Sequence, residues 1–419
     1  MGDTSPPLGQ DYQRPIIGVS ALLWSLPTNL ATTTLAVFVG RQGTAFQVSL
    51  VTMSHFLALL LFAPVWGVVA DLTGEHRRLL AGAGIAGSLV LVVLGLTEGV
   101  WYPILLRGLY ATFFAAFPPL MLTIVSERGG ASRRGQALGT FNSWRSVGFA
   151  LGQFFAGLSL ALLTYFEIYF ALAVVTLAAT AVTWFVANPV PARETTLRWT
   201  TVREQVRHRL LPVRGDRSHL TTSGLHWVYV AVGLQGVTFF GLLSLLPVYL
   251  TDEVGVSETL MGFFLGLNPL SRIALMLVFG AAVERYGRKL ILALGLLGTG
   301  VFAVVLAAAT VPPPGVLRLV VVGVGFGIIA VSFSAAVIGS QTFIGDVAAV
   351  DRESELMGVR STAMGVGGVI GPLLVGGLVT LLTYDIAFVL LSGFSFAGTA
   401  LVVVGVSETV TGTAVPGLD

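Results

Sequence analysis

The chain contains no cysteine. No disulfide staples it, and no thiolate is available as metal ligand or nucleophile. Charge is scarce as well. Asp, Glu, Lys and Arg make up 11% of its 419 residues, against roughly 25% in an ordinary soluble domain. A soluble fold of that length covers its surface with polar groups, and this chain has too few. With 55% hydrophobic residues and a mean hydropathy of +0.87, the solvent for most of it is lipid. A net charge of +2 is too small to attract nucleic acid. No nucleotide-binding loop, no HExxH and no polar stretch long enough for an extramembrane enzyme domain occurs. The chain is therefore not expected to be an enzyme or to hydrolyse ATP. No metal and no cofactor is expected beyond a coupling proton.

A further shortage concerns acids at depth. All 21 Asp and Glu fall in loops or at the ends of apolar runs. Ionisable groups inside a bundle are costly and usually functional. Their absence from the run centres speaks against a central carboxylate that alternately binds a proton and a cation.

What the chain has instead is apolar runs of about 20 residues. Twelve are predicted, at 15–37, 47–70, 79–98, 101–124, 138–161, 166–187, 225–249, 257–281, 289–309, 316–342, 359–383 and 385–407. Backbone amides cannot go unpaired in lipid, so each is a helix unless the chain forms a barrel. Barrel strands would alternate over about 10 residues, and these runs do not. Met1 to Arg14 has acids and no basic–apolar–small pattern, so the first run is expected to be a retained helix. The organisation predicted is a tail at 1–14, a six-helix half at 15–188, a central loop at 189–224, a second half at 225–408 and a tail at 409–419.

The central loop carries Arg193, Arg198, Arg203, Arg207, Arg209, Arg214 and Arg217. Leu197 to Leu211 is either an amphipathic surface helix or part of a basic tether that fixes topology. With both termini inside, 18 of the 23 Lys and Arg lie on the inner side, and only Arg41 and Arg318 lie outside. The positive-inside bias thus predicts a multi-pass protein of the plasma membrane with cytoplasmic termini. Trp101, Trp184 and Trp227 suit interface anchors.

The two halves repeat. Gly139, Gly148, Gly152 and Gly157 recur at one constant offset as Gly358, Gly367, Gly371 and Gly376. Leu162-Leu163-Thr164-Tyr165 recurs at the same offset as Leu381-Leu382-Thr383-Tyr384. The fifth span therefore corresponds to the eleventh. In lipid, small residues let helix backbones touch. The GxxxG pairs Gly148/Gly152 and Gly367/Gly371 predict close-packed faces smooth enough to rock, and Gly139, Gly157, Gly358 and Gly376 are assigned to the same packing. Pro372 is expected to loosen the eleventh span. Internal repeats of this kind are a common transporter plan, although paired halves alone also describe a channel.

A charged turn is repeated too. Gly67-Val68-Val69-Ala70-Asp71-Leu72-Thr73-Gly74-Glu75-His76-Arg77-Arg78 follows the second span. Gly280-Ala281-Ala282-Val283-Glu284-Arg285-Tyr286-Gly287-Arg288-Lys289 follows the eighth. Each has Gly, three small or apolar residues, an acid, two more residues, Gly and then basic residues. This pattern resembles the loop signature of the major facilitator superfamily, between helices 2 and 3 and again between helices 8 and 9. The resemblance covers Pro15 to about Glu408 and implies an all-α integral membrane fold of 12 transmembrane helices in two pseudo-symmetric six-helix halves. The first copy departs from the pattern, since Leu72 and Glu75 occupy positions usually basic. The family's turns are thought to latch one state. The resemblance assigns Asp71 to the start of span 11 and Glu284 to the start of span 5, where helix N-termini favour an anion. Arg77, Arg78, Arg285, Arg288 and Lys289 would add ion pairs. A plain topology-setting loop is the alternative.

Two further signatures are partial. The family's antiporter motif has the glycine spacing of Gly139, Gly148 and Gly152, followed by Pro, two residues and Gly-Gly. Here Gln153 stands for the proline and Ala156-Gly157 for the glycine pair. Arg107 fits the helix 4 arginine of proton antiporters, with Ala111 and Phe113 in place of its glycines.

Arg107, Arg145 and Arg272 are the arginines expected inside spans. At about 1.5 Å per residue, Arg145 and Arg272 sit at similar depth, roughly 10 to 14 Å in. The resemblance places their spans across the family's cleft, where two such charges would hold a carboxylate or phosphate. Snorkelling or structural pairing is the alternative. His55 is the histidine well inside a span, and it either couples transport to protons or makes a structural bond. Asn29, Asn142, Gln235 and Asn268, with Trp24, Tyr110 and Trp144, complete the candidate cavity wall. The expectation is a monomeric secondary transporter of small molecules working by alternating access. Proton-linked efflux of a hydrophobic or drug-like compound leads. Transport of a small organic anion is the alternative, and a non-transporting membrane sensor or assembly partner is the alternative of another class.

Overall fold

The computed structural model describes residues 10–188, 199–210, 222–348 and 352–409. Among them are twelve helices long and apolar enough to cross a membrane. In chain order they are α1 (Gln13–Gln42), α2 (Ala45–Thr73), α3 (His76–Gly95), α4 (Trp101–Arg128), α5 (Gln136–Leu162) and α6 (Tyr165–Trp184). The second six are α7 (Thr222–Val254), α8 (Glu258–Tyr286), α9 (Arg288–Thr310), α10 (Val316–Val347), α11 (Glu355–Leu381) and α12 (Tyr384–Gly405). No strand occurs among the described residues. All twelve predicted spans are present, with ends shifted by a few residues.

Local chemistry sets the ends. Thr44 opens α2 and Thr164 opens α6 with reciprocal capping boxes, closed by Gln47 and Glu167. Gly74 ends α2 at φ 69° and Gly255 ends α7 at φ 82°, where a side chain would be strained. α4 breaks at Ala115–Ala116. Pro118 and Pro119 follow there and cannot donate to the carbonyls one turn back.

By density of contacts the chain falls into two compact units. One is Met1–Arg214 with Ser244–Leu270, and the other is Gly215–Leu243 with Ser271–Asp419. In the first, Trp24, Leu80, Phe114, Phe117, Met121 and Phe141 form the core. In the second, Leu225, Val228, Leu292, Leu296, Phe343 and Val402 do so. Many large apolar side chains face outward, Leu277 at 77% and Val404 at 88% exposure among them. Such a surface is stable against lipid and not against water.

Part of the central loop is helical, over Trp199–Leu210. Its Val202 is buried against α2, and Arg203 and Arg207 are exposed. The amphipathic alternative therefore holds for this stretch. Arg193, Arg198, Arg214 and Arg217 lie outside the described residues.

Candidate functional site

In the first unit a polar seam runs along α1. Thr183 Oγ1 sits 2.7 Å from Ser20 Oγ and accepts the indole N–H of Trp24 at 3.0 Å. Trp24 also stacks on Phe117, with ring centroids 4.9 Å apart. Its polar handle and its ring are both used inside the bundle, so it is a packing residue. One turn on, Arg107 of α4 donates from Nη2 to Thr32 Oγ1 at 2.7 Å and to the Thr28 carbonyl at 3.4 Å. Next along, Thr34 Oγ1 and the Tyr169 hydroxyl are 3.1 Å apart, and Tyr169 donates to the Ala31 carbonyl at 3.3 Å.

Arg107 is the unusual member. Its exposure is 0%, and Nε and Nη1 meet no acceptor. It makes no ion pair among the described residues. A guanidinium closed off from water and left unpaired costs several kcal/mol, on the order of 3–5 when a buried partner is missing. The ring of Tyr110, 5.6 Å below, offsets about 0.5–2 kcal/mol of that. His55 of α2 feels the charge of Arg107 and leaves Nδ1 without a partner. Its ring packs against Phe56 and Phe114.

α5 presents two glycine faces. A Cβ at Gly148 would lie 2.4 Å from the Leu22 carbonyl oxygen, and one at Gly152 would lie 2.5 Å from that of Leu26. These two press α5 on α1, as GxxxG predicts. Gly157 points elsewhere, where a Cβ would lie 2.2 Å from the Glu258 carbonyl oxygen and 3.0 Å from Gly262 Cα. Gly262 and Gly266 of α8 complete that contact against Gln153 and Ala150. Arg41 at the end of α1 pairs with Glu258 at the start of α8. Gly139 corrects the prediction, since it is exposed with open space where a Cβ would go. It lies nine residues before Gly148, half a turn round at about 100° per residue.

Polar ties reinforce the α1–α5 seam. Thr33 donates to Gln153 Oε1 at 2.5 Å, and Asn29 donates to the Phe149 carbonyl at 3.4 Å. Gln153, standing where the antiporter motif has proline, thus bonds α5 to α1. Arg145 donates to Asn142 at 3.4 Å, and Phe141 and Phe149 flank its guanidinium at 5.7 and 5.5 Å. Its Nε has no partner. Trp144 is 38% exposed, and its indole covers Gly18. Asn268 of α8 is buried in this unit.

In the second unit Arg272 lies 3.9 Å over the ring of Phe333 and 5.8 Å from that of Phe239. Gln235 is buried and donates to Thr299 at 3.0 Å. Gly367 and Gly371 press α11 on α7, where a Cβ would lie 2.6 Å from the Gly233 and 2.2 Å from the Val237 carbonyl oxygens. The α7 glycines Gly236 and Gly241 answer them, and Gly233 faces Ala363. Spaced by three and five residues, they carry no GxxxG signal in the sequence. Pro372 lies inside α11, which continues through it, and Gly376 is buried. Gly358, like Gly139, is exposed with nothing near. Arg360 adds to the predicted internal arginines, because α11 starts earlier than expected. It is 8% exposed and donates to Ser340 at 2.8 Å.

Each charged turn makes contacts inside its own unit. In the first, Gly67 is buried and Asp71 is exposed near the end of α2. Arg78 pairs with Glu75, and Arg77 lies 4.5 Å over Trp184. The N–H of Arg77 donates to Asn188 at 3.0 Å. In the second, Gly280 has open space and Gly287 takes φ 94°. Arg288 pairs with Asp346 at 2.8 Å and with Glu284 at 3.7 Å. Arg285 stacks on Tyr286 at 5.2 Å, and the N–H of Lys289 donates to Glu408 at 3.1 Å.

The family model of the Major Facilitator Superfamily matches residues 15–340 and 228–417. The chain is 29% identical over 119 residues to the multi-drug resistance efflux pump PmrA of Streptococcus pneumoniae serotype 4, covering 28% of this chain and 29% of that protein. It is 28% identical over 146 residues to multidrug resistance protein MdtG of Yersinia enterocolitica, covering 35% of each. The matched stretch thus spans about a third of these curated relatives. Among solved structures, nucleoside transporter NupG aligns with TM-score 0.71 at 14% identity, over 93% of this chain and 98% of that one. The human organic anion transporter MFSD10 (TETRAN) aligns with TM-score 0.68 at 16% identity, over 95% and 100%. At such identities the likeness shows the fold.

Proposed function

The chain belongs to the Major Facilitator Superfamily and is an integral membrane transporter, and on that premise we propose that it exports a hydrophobic or drug-like compound by alternating access, in exchange for protons. The observation that carries this reading is the double glycine face of α5. Gly148 and Gly152 against α1, with Gly157 against α8, give backbone-to-backbone contacts without interlocking side chains, on which helices slide. The efflux names of the relatives at 28–29% identity add support. The proposed setting is the plasma membrane, with the charged turns and both termini cytoplasmic, the protein acting as a monomer. His55 is the proposed proton carrier, because the acids lie at helix ends.

Inside-out vesicles holding an acid interior test this. Addition of a lipophilic cargo such as ethidium should release protons from them. No release with any lipophilic compound overturns the reading.

Organic-anion transport is the second reading. Arg145 favours it, with Nε free of any partner. A thermal-shift screen of small carboxylates and phosphates against lipophilic compounds separates the two. Stabilisation by an anion that is lost in Arg145→Ala replaces efflux with anion transport.

A further inference from the structure

We infer that Arg107 is the centre of a small-anion site inside the first unit, taking chloride or a carboxylate no larger than acetate. The inference is independent of the cargo. Arg107 is completely buried among α1, α2, α4 and α6. Nη2 is satisfied by Thr32 and the Thr28 carbonyl, and the N–H groups of Nε and Nη1 have no acceptor. The ionisable groups acting on it are Tyr110, Tyr169 and His55. None of these is a carboxylate, and no ion pair neutralises Arg107 among the described residues.

A buried charge is normally paired or bonded to metal or ligand. An acid on α1 would be the obvious partner, but the stretch facing Arg107 supplies Thr28 and Thr32 instead. Hydroxyls leave the positive charge uncancelled. Arginine stays protonated, so the deficit cannot be removed by losing a proton. His55 supplies a second clue. Its Nδ1 is also buried without a partner, and its ring packs on Phe114 of α4, the helix that carries Arg107. An anion would accept from the Nε and Nη1 edges of the guanidinium and cancel its charge, whereas a water molecule accepts without cancelling it. The Tyr110 ring lies 5.6 Å from the guanidinium carbon, and Arg107 has no solvent exposure. That limits the ligand to something small, and a single positive centre suits a single negative charge.

The test uses the full-length purified protein. Its melting midpoint is measured while chloride, and separately acetate, replaces the bulky sulfonate isethionate at constant ionic strength. Samples equilibrate before heating, because the site is closed. Wild type should show a saturable rise in midpoint. Whichever anion half-saturates lower is the preferred ligand. Arg107→Gln should abolish the rise. Arg107→Lys keeps the charge, loses the fork, and should raise the half-saturating concentration about tenfold. If the Gln variant does not fold, the Lys variant decides. ³⁵Cl NMR line broadening, competed by acetate, gives a second readout that needs no melting. A wild-type midpoint indifferent to anion identity overturns the inference and leaves water as the partner. An unchanged response in the Arg107 variants overturns it equally, by moving the site elsewhere. Because Arg145 and Arg272 are untouched, loss here is distinguishable from loss of an organic-anion cargo site.

Discussion

Glu408 caps the start of α9, accepting the backbone N–H of Arg288 at 2.9 Å. The first half has the same device in neutral form, Asn188 accepting from Arg77 at 3.0 Å. In each case a residue just past the half's last helix binds the first turn of its third. Free N–H groups and the helix dipole both favour an acceptor there. Glu408→Ala should therefore destabilise by about 1–2 kcal/mol, and Glu408→Gln by less. Denaturation midpoints of the two variants check this, and equal midpoints for Ala and wild type count against the cap.

Gly157 and Gly139 should respond oppositely to an added methyl. Gly157→Ala drives a Cβ into the Glu258 carbonyl at 2.2 Å, so transport should fall toward background. The closed contact of α5 with α8 should open. Labelling of a single cysteine introduced at Ser159 should rise, on a background with no native thiol. Gly139→Ala meets open space and should stabilise by up to about 1 kcal/mol through helix propensity. A harmless Gly157→Ala would refute the tight seam.

Gln153 and Thr33 should be coupled. Gln153→Leu leaves the Thr33 hydroxyl buried and unpaired, at a cost of about 1–3 kcal/mol. Adding Thr33→Val should recover most of it, since both partners are then apolar. A double-mutant cycle on melting free energies measures the coupling. Additive losses would mean that the bond does not tie the two helices.

Val202 should hold the linker helix to α2. Val202→Asp places a charge at a position only 3% exposed, so the helix should detach. Limited proteolysis of the central loop should then run faster, with the membrane helices intact. An unchanged nicking rate would show that Val202 does not anchor it.

The fold was legible because lipid leaves little choice: long apolar runs must be helices, and their twofold repeat sets the organisation. The helix seams were legible where GxxxG gives one face, as at Gly148 and Gly152. They were misread at Gly139 and Gly358 because residue matching ignores rotation about the helix axis. Gly157 belongs to a different face from Gly148 for the same reason. Of the site, the internal arginines were visible as charges in apolar runs, and Arg360 was missed through a span boundary a few residues off. The Thr28–Thr32–Arg107 and Thr33–Gln153 bonds were not legible. They join residues far apart in sequence, and threonine in a helix more often bonds its own backbone, as Thr34 does to Leu30. The caps by Asn188 and Glu408 were hidden likewise.

The first compact unit contains Ser244–Leu270, a stretch made long after its other helices. When the ribosome has delivered α1 to α6, the glycine face at Gly157 and the Arg41 side chain still lack α8. The amino-terminal half must wait in the bilayer, incompletely packed, until the next hairpin inserts. A chain stopped after the central loop would be a substrate for quality-control proteases, and co-expression of the missing segment would rescue it.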